Sequence, residues 1–451
     1  MQYTYYMRKI LTASANKIVI DTVKNACTLF SSVFSTDVLD KTEEIIRYID
    51  YELPEIKVLD FSSENIDCNK IMQNIADDTW LHYGGVIAVC GSHKQVVELE
   101  HKKNPNILAI HTINDFQNHF MRILRILYQN QRFLFNRGMH DIIGGEETGA
   151  FSFGNDPMDS LFYTNFLVNY LYNTNRISDD ARFSLQMTFS ELVTNALEHG
   201  NLEIDYDTKT KWLEQGGNMI QLIQEKAKDP RFSKRRIKIA YSIGRAASKF
   251  TIMDDGKGFD WRSYAKKNEV EDTMLHGRGI SLSKSIVHSL TYNEKGNAVT
   301  FTIANLRNMS SAVPGKMSQF ETVEYKDKEV VCREGENSND LFFILSGRFA
   351  VYANKKLATV LTPNDLFIGE MAFLLNDRRT ATILAVGNCR LIRVPKSEFL
   401  LMIRKNPHYG IFLSKMLAQR LVLQAQTTYI FQEKIEELQA TMQQFRTILK
   451  K

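Results

Sequence analysis

With 451 residues, the chain is too long for a single hydrophobic core, and we expect about three domains. Hydrophobic residues make up 44% of the sequence and charged residues 24%, which are the proportions of a soluble globular protein. The formal net charge is only +4, so the composition excludes a general affinity for nucleic acids or anionic membranes.

The cysteines and the apolar runs favour a cytoplasmic location. The five cysteines are scattered and form no C-x-x-C pair, which argues against a zinc site or a disulfide framework. No apolar run reaches the roughly 18 residues that a membrane-spanning helix needs. The first residues lack the charged-then-apolar order of a signal peptide. We therefore expect a cytoplasmic protein with neither a nucleic acid nor a membrane as partner.

Residues 1–127 alternate short strand patterns with helical patterns. Four runs are rich in Ile and Val and have the length of strands, whereas the stretches between them have helical spacing. Such alternation predicts a parallel α/β sheet. The four predicted strands are Lys9–Ala13, Ile56–Asp60, Gly85–Cys90 and Ile107–His111.

This region resembles a receiver domain whose site is incomplete. Asp60 stands where receivers carry the phosphorylated aspartate, and Ser92 stands where they carry a hydroxyl residue. Receivers have an acidic pair after the first strand, where this chain has Ala13-Ser14. Without those carboxylates a Mg²⁺ ion has too few ligands for phosphoryl transfer. We interpret the region as a pseudo-receiver used for docking or dimerisation, with phosphorylation of Asp60 as the alternative.

A linker at residues 128–147 leads to a second predicted domain at residues 148–305. Its central helix carries S-E-L-V-T-N-A-L-E-H-G-N, in which Glu191 and Asn195 lie one turn apart on one flank. A carboxylate and an amide at this spacing suit Mg²⁺, and the carboxylate can activate a nearby hydroxyl. The H-G pair at 199–200 predicts an ordinary C-terminal stop for this helix.

Two glycine-rich motifs come later in the same predicted domain. D-D-G-K-G-F begins at Asp254, directly after a strand pattern, where a buried carboxylate can accept the amine of adenine. H-G-R-G-I-S-L begins at His276 and opens a helix, which is an arrangement that binds phosphate. An insert at about 201–235 separates the motif helix from the strands. We interpret its basic end as a solvated turn, with contact to phosphates as the alternative.

Taken together, the three motifs resemble the ATP-binding domain shared by histidine kinases, gyrase-type ATPases and anti-sigma-factor serine kinases. The resemblance implies that Glu191 is the catalytic base, Asn195 the Mg²⁺ ligand and Asp254 the adenine contact. The ending E-H-G-N is similar to the anti-sigma-factor branch, and no histidine has the acidic neighbour and proline of a phosphoacceptor helix. The other nucleotide-binding residues implied are Gly256, Gly258, Gly277, Arg278 and Gly279.

After a linker at residues 306–318, short strand patterns with Gly and Asn turns predict an all-β domain at residues 319–425. Glu370 and Arg379, nine positions apart, can bind a ribose hydroxyl and an anionic phosphate together. The region resembles a cyclic-nucleotide-binding domain. The resemblance implies these two ligands, and it leaves cAMP and cGMP both open. The remaining cradle residues are Gly369, Met371, Ala372, Thr380 and Ala381.

The last segment has the pattern of one long helix over residues 408–450. Its apolar residues alternate by four and three positions from Phe431 to Leu449, which predicts a coiled coil at residues 426–451 and a homodimer. Packing of a single amphipathic helix against the barrel is the alternative explanation of the stripe.

We therefore expect a multidomain α/β and α+β protein. It would contain a receiver-like parallel sheet, an ATP-binding α/β sandwich, a β-barrel cyclic-nucleotide domain and a coiled-coil helix. The expected function is an ATP-dependent serine/threonine protein kinase of the anti-sigma-factor type, regulated by cAMP or cGMP, with Mg²⁺ as cofactor and an anti-sigma-factor antagonist as protein substrate. A nucleotide-loaded protein that only sequesters a partner is the alternative. A gyrase-type ATPase is a third reading, which the short lid pattern after Trp261 disfavours.

Overall fold

The computed structural model describes three sheets with their helices, and the multidomain α/β and α+β class is confirmed. All five cysteines are buried and free. None of the helices in the described ranges is long and apolar enough to span a membrane. The described ranges are 8–78, 84–130, 147–244, 246–261, 287–306, 319–362, 367–375 and 377–418, with residue 81 and single helical positions between 421 and 435.

The first sheet is parallel, and its strand order β2-β1-β3-β4-β5 is that of a doubly wound fold. The sequence missed one strand, Phe34–Leu39, because this edge strand is only half buried and lacks a run of Ile and Val. The strands are β1 Arg8–Ala13, β2 Phe34–Leu39, β3 Ile56–Asp60, β4 Gly85–Cys90 and β5 Ile107–Thr112. The helices are α1 Lys17–Leu29, α2 Thr42–Glu52, α3 Cys68–Asp77, α4 His93–His101 and α5 Ile113–Gln129.

The second sheet is antiparallel, in the order β6-β7-β8-β10-β9, and helices pack on one of its faces. Phe189 of the motif helix packs edge-on against Phe250 and Phe301 of the sheet, with ring centroids 5.0 and 5.3 Å away. The strands are β6 Glu147–Phe153, β7 Ile237–Ile243, β8 Ala247–Asp254, β9 Val287–Tyr292 and β10 Ala298–Ala304. The helices are α6 Pro157–Asn173, α7 Asp179–Asn195, α8 Tyr206–Glu214 and α9 Met219–Lys228.

The third sheet is antiparallel and barrel-like, built around two long strands that pair with each other, β13 and β16. Residues 408–418 continue as a helix after it. The strands are β11 Thr322–Tyr325, β12 Val330–Cys332, β13 Leu341–Ala353, β14 Lys356–Leu361, β15 Phe367–Ile368 and β16 Thr382–Val394. The helices are α10 Glu370–Leu375 and α11 Lys396–Lys405.

Two hydrophobic cores extend across the sheets. One contains buried residues of the first and second sheets and of their helices, including Phe120 of α5 and Phe166 of α6. The other contains buried residues of the first and third sheets and of their helices, including Ile49 of α2 and Phe412 of the helical residues 408–418. Within the described ranges, neither core holds residues of both the second and the third sheet. The domain of the first sheet, which the sequence predicts to be receiver-like, therefore shares a core with each of the other two.

Candidate functional sites for ATP and a cyclic nucleotide

Helix α7, which carries the Glu191–Asn195 motif, has Ser178 as its N-cap. The Ser178 hydroxyl accepts a hydrogen bond of 3.2 Å from the Ala181 amide. The predicted stop at 199–200 is wrong: the chain continues as a wide π-helical turn through Ala196–Asn201. The backbone of Gly200 does not have the positive φ of a helix-ending glycine. The carbonyl oxygens of this turn instead accept hydrogen bonds from Arg235, at 2.9 Å for Asn201 and 3.5 Å for Gly200.

Glu191 and Asn195 face each other on α7, as their spacing predicts. The Asn195 side-chain amide donates to Glu191 Oε1 at 3.5 Å, and both residues are half buried. The contact holds the carboxylate beside the amide and leaves the Asn195 carbonyl oxygen as a candidate ligand for a hard cation. This donor set fits Mg²⁺.

Asp254 ends β8 and is 8% exposed. Burial raises the pKa of its carboxyl group, while a hydrogen bond of 2.8 Å from the Gly256 amide to Oδ1 acts in the opposite direction. The second carboxylate oxygen can accept from the exocyclic amine of an adenine. The strand end and its burial therefore fit the base of ATP.

Glycines let the π-helical turn approach the Asp254 loop. A Cβ atom on Gly200 would lie within 3.0 Å of the Asp254 carboxylate, and one on Gly256 would overlap the carbonyl oxygen of Gly200. Gly258 has a φ of +77° and lies against the Lys295 carbonyl. The predicted nucleotide residues Gly277, Arg278 and Gly279 lie outside the described residues.

Asn201 joins the motif helix to the D-D-G loop, a role that the sequence did not reveal. This fully buried side chain accepts from the Asp255 amide at 2.9 Å and donates to Asn155 Oδ1 at 2.8 Å. The basic end of the insert forms the predicted exposed turn, but Arg235 departs from it, because this residue is half buried and also pairs with Glu203 at 2.9 Å. The feature of the sequence that could have indicated these roles is the position of Asn201 and Arg235 at the two ends of the insert.

The insert contributes one further contact to the motif helix. Lys209 on α8 donates to the buried carboxylate of Glu198 at 2.8 Å. The Glu198 side chain is 6% exposed, so this partner offsets the cost of burying the charge. The insert therefore supports the turn that follows Asn195.

In the third domain, Gly369 and Arg379 are in direct contact. The buried Arg379 guanidinium donates to the carbonyl oxygens of Gly369 at 3.3 Å and Asp340 at 2.7 Å, and to the Ser338 hydroxyl at 3.0 Å. Gly369 has a φ of +88°, and a Cβ atom there would overlap the guanidinium. Arg379 Nε is buried without a hydrogen-bond partner among the described atoms, so the cradle fits an additional anionic acceptor.

The other predicted cradle residues surround this pair along the chain. Glu370 is half buried and is the first residue of α10. Ala372 is buried and Ala381 is half buried, whereas Met371 and Thr380 are exposed.

Asp60 is fully buried at the end of β3, and hydroxyl groups surround its carboxylate. Ser14 and Ser63 donate to Oδ2 at 2.6 and 2.8 Å, and the Ser62 hydroxyl and amide donate to Oδ1. Ser92, the hydroxyl of the receiver comparison, caps α4. The geometry gives Asp60 a structural role in joining the loops that follow β1 and β3.

Comparisons with known proteins match two regions of the chain. Residues 164–303 match the family model of the histidine kinase-like ATPase domain, and residues 322–406 match that of the cyclic nucleotide-binding domain. The chain therefore contains both domains, and ATP and a cyclic nucleotide are the ligand classes that they indicate.

Individual relatives match shorter stretches. A cGMP-dependent protein kinase from Plasmodium berghei is 40% identical over 75 residues, which are 17% of this chain and 9% of that protein. A lysophospholipase from Candida albicans is 28% identical over 102 residues, which are 21% of this chain and 7% of that protein. The chain thus spans less than a tenth of the length of these two relatives. The catabolite activator protein of Thermus thermophilus is a similar solved structure, with 22% identity, a TM-score of 0.24, and coverage of 26% of this chain and 56% of that one.

Proposed function

We propose that this protein is an ATP-dependent serine/threonine protein kinase of the anti-sigma-factor type, regulated by a cyclic nucleotide. The observation that carries the proposal is the arrangement of one helix. Glu191 and Asn195 lie side by side on α7, and the turn that ends this helix packs through Gly200 against the buried Asp254. A base, a metal ligand and an adenine acceptor are thereby fixed on two adjoining elements.

Each of these side chains has a task in phosphoryl transfer. Asp254 would accept from the adenine amine and orient the nucleotide, and the Asn195 carbonyl oxygen would be a ligand of the metal. Glu191 takes the proton from the substrate hydroxyl as its oxygen bonds to the γ-phosphorus and the bond to ADP breaks. Bound Mg²⁺-ATP supplies the phosphoryl group and the positive charge that stabilises its transfer.

A hydroxyl acceptor on a separate protein is favoured over a histidine within the chain. His119 lies on α5 among aromatic rings, and its ring centroid is 5.4 Å from that of Phe162 and 6.3 Å from that of His111. It is also remote in sequence from any acid–proline pair. The ending E-H-G-N supports the anti-sigma-factor branch and hence an antagonist protein as substrate. We also propose a homodimer formed through residues 426–451, on the basis of the four-three spacing of their apolar residues. Most of this predicted seam lies outside the described residues.

Regulation by a cyclic nucleotide is supported by the buried Arg379. Its guanidinium can exchange bonds to carbonyl oxygens for stronger bonds to a cyclic phosphate, while Glu370 takes the ribose hydroxyl. Both cAMP and cGMP fit this description.

Phosphate transfer tests the kinase activity. Purified protein with radiolabelled ATP, Mg²⁺ and a candidate antagonist should yield phosphoserine or phosphothreonine. Glu191→Gln should abolish transfer and retain ATP binding, whereas Glu225→Gln, on the exposed face of α9, should leave both unchanged. ATP binding without transfer to any antagonist would contradict the kinase and favour a nucleotide-loaded protein that sequesters its partner.

Calorimetry with cAMP and cGMP tests the regulatory ligand. We expect binding of at least one of them, and its loss in Arg379→Lys, because a lysine cannot reproduce the forked contacts of the guanidinium. Arg378→Lys is a matched control, since this neighbour is exposed. No heat with either nucleotide would contradict the regulatory part of the proposal.

A further inference from the structure

The helical residues 408–418, which follow the barrel, dock on the receiver-like domain. Tyr409, Phe412 and Met416 belong to the same hydrophobic core as Ile45 and Ile49 of α2. All five are at most 3% exposed. The helical segment 408–418, which follows α11, is therefore packed into the first domain and does not lie on the barrel alone.

Polar contacts fix this docking at the C-terminal ends of α2 and α3. His408 Nε2 lies 3.0 Å from Asp78 Oδ2, and the Tyr409 hydroxyl donates to the same oxygen at 3.2 Å. Lys415 donates to the carbonyl oxygens of Glu52 and Leu53, at 2.8 and 2.7 Å. A cation at the last carbonyls of a helix is favourably placed.

On the other side, α11, which precedes the docked residues 408–418 across a short turn at 406–407, is joined to the nucleotide cradle. The Phe373 ring on α10 lies 5.4 Å from the Phe399 ring on α11, and Lys396 donates to the Phe373 carbonyl at 2.6 Å. Helix α10 follows Gly369, whose carbonyl oxygen accepts from Arg379. A ligand that draws Arg379 away from this carbonyl therefore acts on α10, α11 and the docked helix in turn.

The receiver-like domain also contacts the motif helix through ion pairs. Arg182 on α7 forms a forked pair with Glu100 on α4, with distances of 2.9 and 3.3 Å. Arg122 on α5 pairs with Asp156 at 2.6 Å, at the start of α6. Glu191 lies on the same helix as Arg182, so a shift of the receiver-like domain reaches the catalytic carboxylate through a rigid element.

We infer that the receiver-like domain transmits cyclic-nucleotide binding to the ATP site, through the docking of residues 408–418 on the ends of α2 and α3. The inference rests on the proposed regulation and assigns its route. It also gives the domain a use that does not depend on Asp60, whose carboxylate is already held by three hydroxyl groups. The signal that reaches this domain would come from the docked residues 408–418 of the same chain and not from phosphorylation.

The coupling between the two ligands tests this route. Affinity for Mg²⁺-ATP is measured with and without saturating cAMP or cGMP, whichever calorimetry shows to bind. We expect the ratio of the two ATP affinities to be about fivefold or more in the natural protein. It should fall below about twofold in Asp78→Asn and Lys415→Met, while each ligand alone still binds.

Matched controls separate the interface from a general loss of charge. Asp77→Asn changes the neighbouring residue on α3, which accepts from Gln73, and Lys405→Met changes an exposed lysine at the end of α11. Both controls should keep the full ratio. A ratio that also persists in Asp78→Asn and Lys415→Met would overturn the inference and leave the proposed regulation intact.

Hydrogen exchange in the natural protein tests the same route without relying on the folding of a variant. Bound cyclic nucleotide should change amide exchange in residues 42–53 and 68–78, at the docking surface. Unchanged exchange at saturation would overturn the inference even if the kinase activity is real. If neither nucleotide binds, the proposed regulation fails first, and this route falls with it.

Discussion

Gly200 and Asp254 are in such close contact that any side chain on Gly200 would enter the space of the Asp254 carboxylate. The contact joins the π-helical end of the motif helix to the end of β8. It explains why the chain has glycine at 200 although the helix does not stop there. The role of this glycine is close approach, whereas its sequence position indicated a helix cap.

Gly200→Ala should therefore weaken ATP binding. The added Cβ atom would displace the Asp254 carboxylate from the position where it accepts from adenine, and we expect at least about a tenfold loss of affinity. Gly154→Ala is the control, because a Cβ atom there meets only Arg236 Nη1 at an ordinary distance of 3.8 Å. Calorimetry with ATP measures both variants, and equal affinities for the two would contradict the proposed contact.

Lys209→Met should lower the melting temperature. The Glu198 carboxylate would then remain buried without its cation, at a cost of about 1–3 kcal/mol once the partial exposure of Lys209 is considered. Adding Glu198→Gln should restore part of the loss, because a neutral amide is less costly to bury. Thermal unfolding of the two single variants and the double variant gives the coupling, and strictly additive changes would exclude an interaction.

Lys57 should make stability depend on pH in the alkaline range. This lysine of β3 is buried and donates to the Pro54 carbonyl at 3.1 Å. Burial, together with nearby Lys415 of the docked helix, lowers its pKa to about 7. Between pH 7 and 10 the unfolded chain binds the proton that the folded chain has released, so stability rises with pH. The slope is at most about 1.4 kcal/mol per pH unit.

Lys57→Met tests this assignment, since methionine keeps an unbranched side chain and removes the charge. We expect a higher melting temperature at pH 7 and a smaller rise between pH 7 and 9.5 than in the natural protein. Lys94→Met is the control at an exposed position of α4. If the natural protein and Lys57→Met show the same pH dependence, another group is responsible.

Acetyl phosphate should leave the mass of the protein unchanged. The Asp60 carboxylate is fully buried and already accepts from Ser14, Ser62 and Ser63, so a phosphoryl group has no approach to it. Intact-mass spectrometry in the presence of Mg²⁺ measures this directly. A gain of one phosphate that disappears in Asp60→Asn would restore the phosphorylated-receiver interpretation.

Much of the fold could be read from local patterns. Strands such as Ile56–Asp60 and Gly85–Cys90 were predicted with the bounds that the structure has, because apolar periodicity reports burial on a fixed face. The strands Phe34–Leu39 and Val287–Tyr292 were missed, since both lie at sheet edges and are largely half buried or exposed. Edge strands bury less apolar surface and therefore leave a weaker pattern.

The sequence by itself determined the two ligand classes, since the spacing of Glu191 and Asn195 within one helix, and of Glu370 and Arg379 within one loop region, is local. Only the tertiary structure decided which distant residues support these sites, such as Asn201, Arg235 and Lys209. It also decided that residues 408–418 pack on the receiver-like domain. The physical reason is the distance along the chain over which each feature is determined. Spacing along a helix or strand follows from local backbone geometry. A contact such as that of His408 with Asp78, 330 residues apart, depends on how complete surfaces fit together.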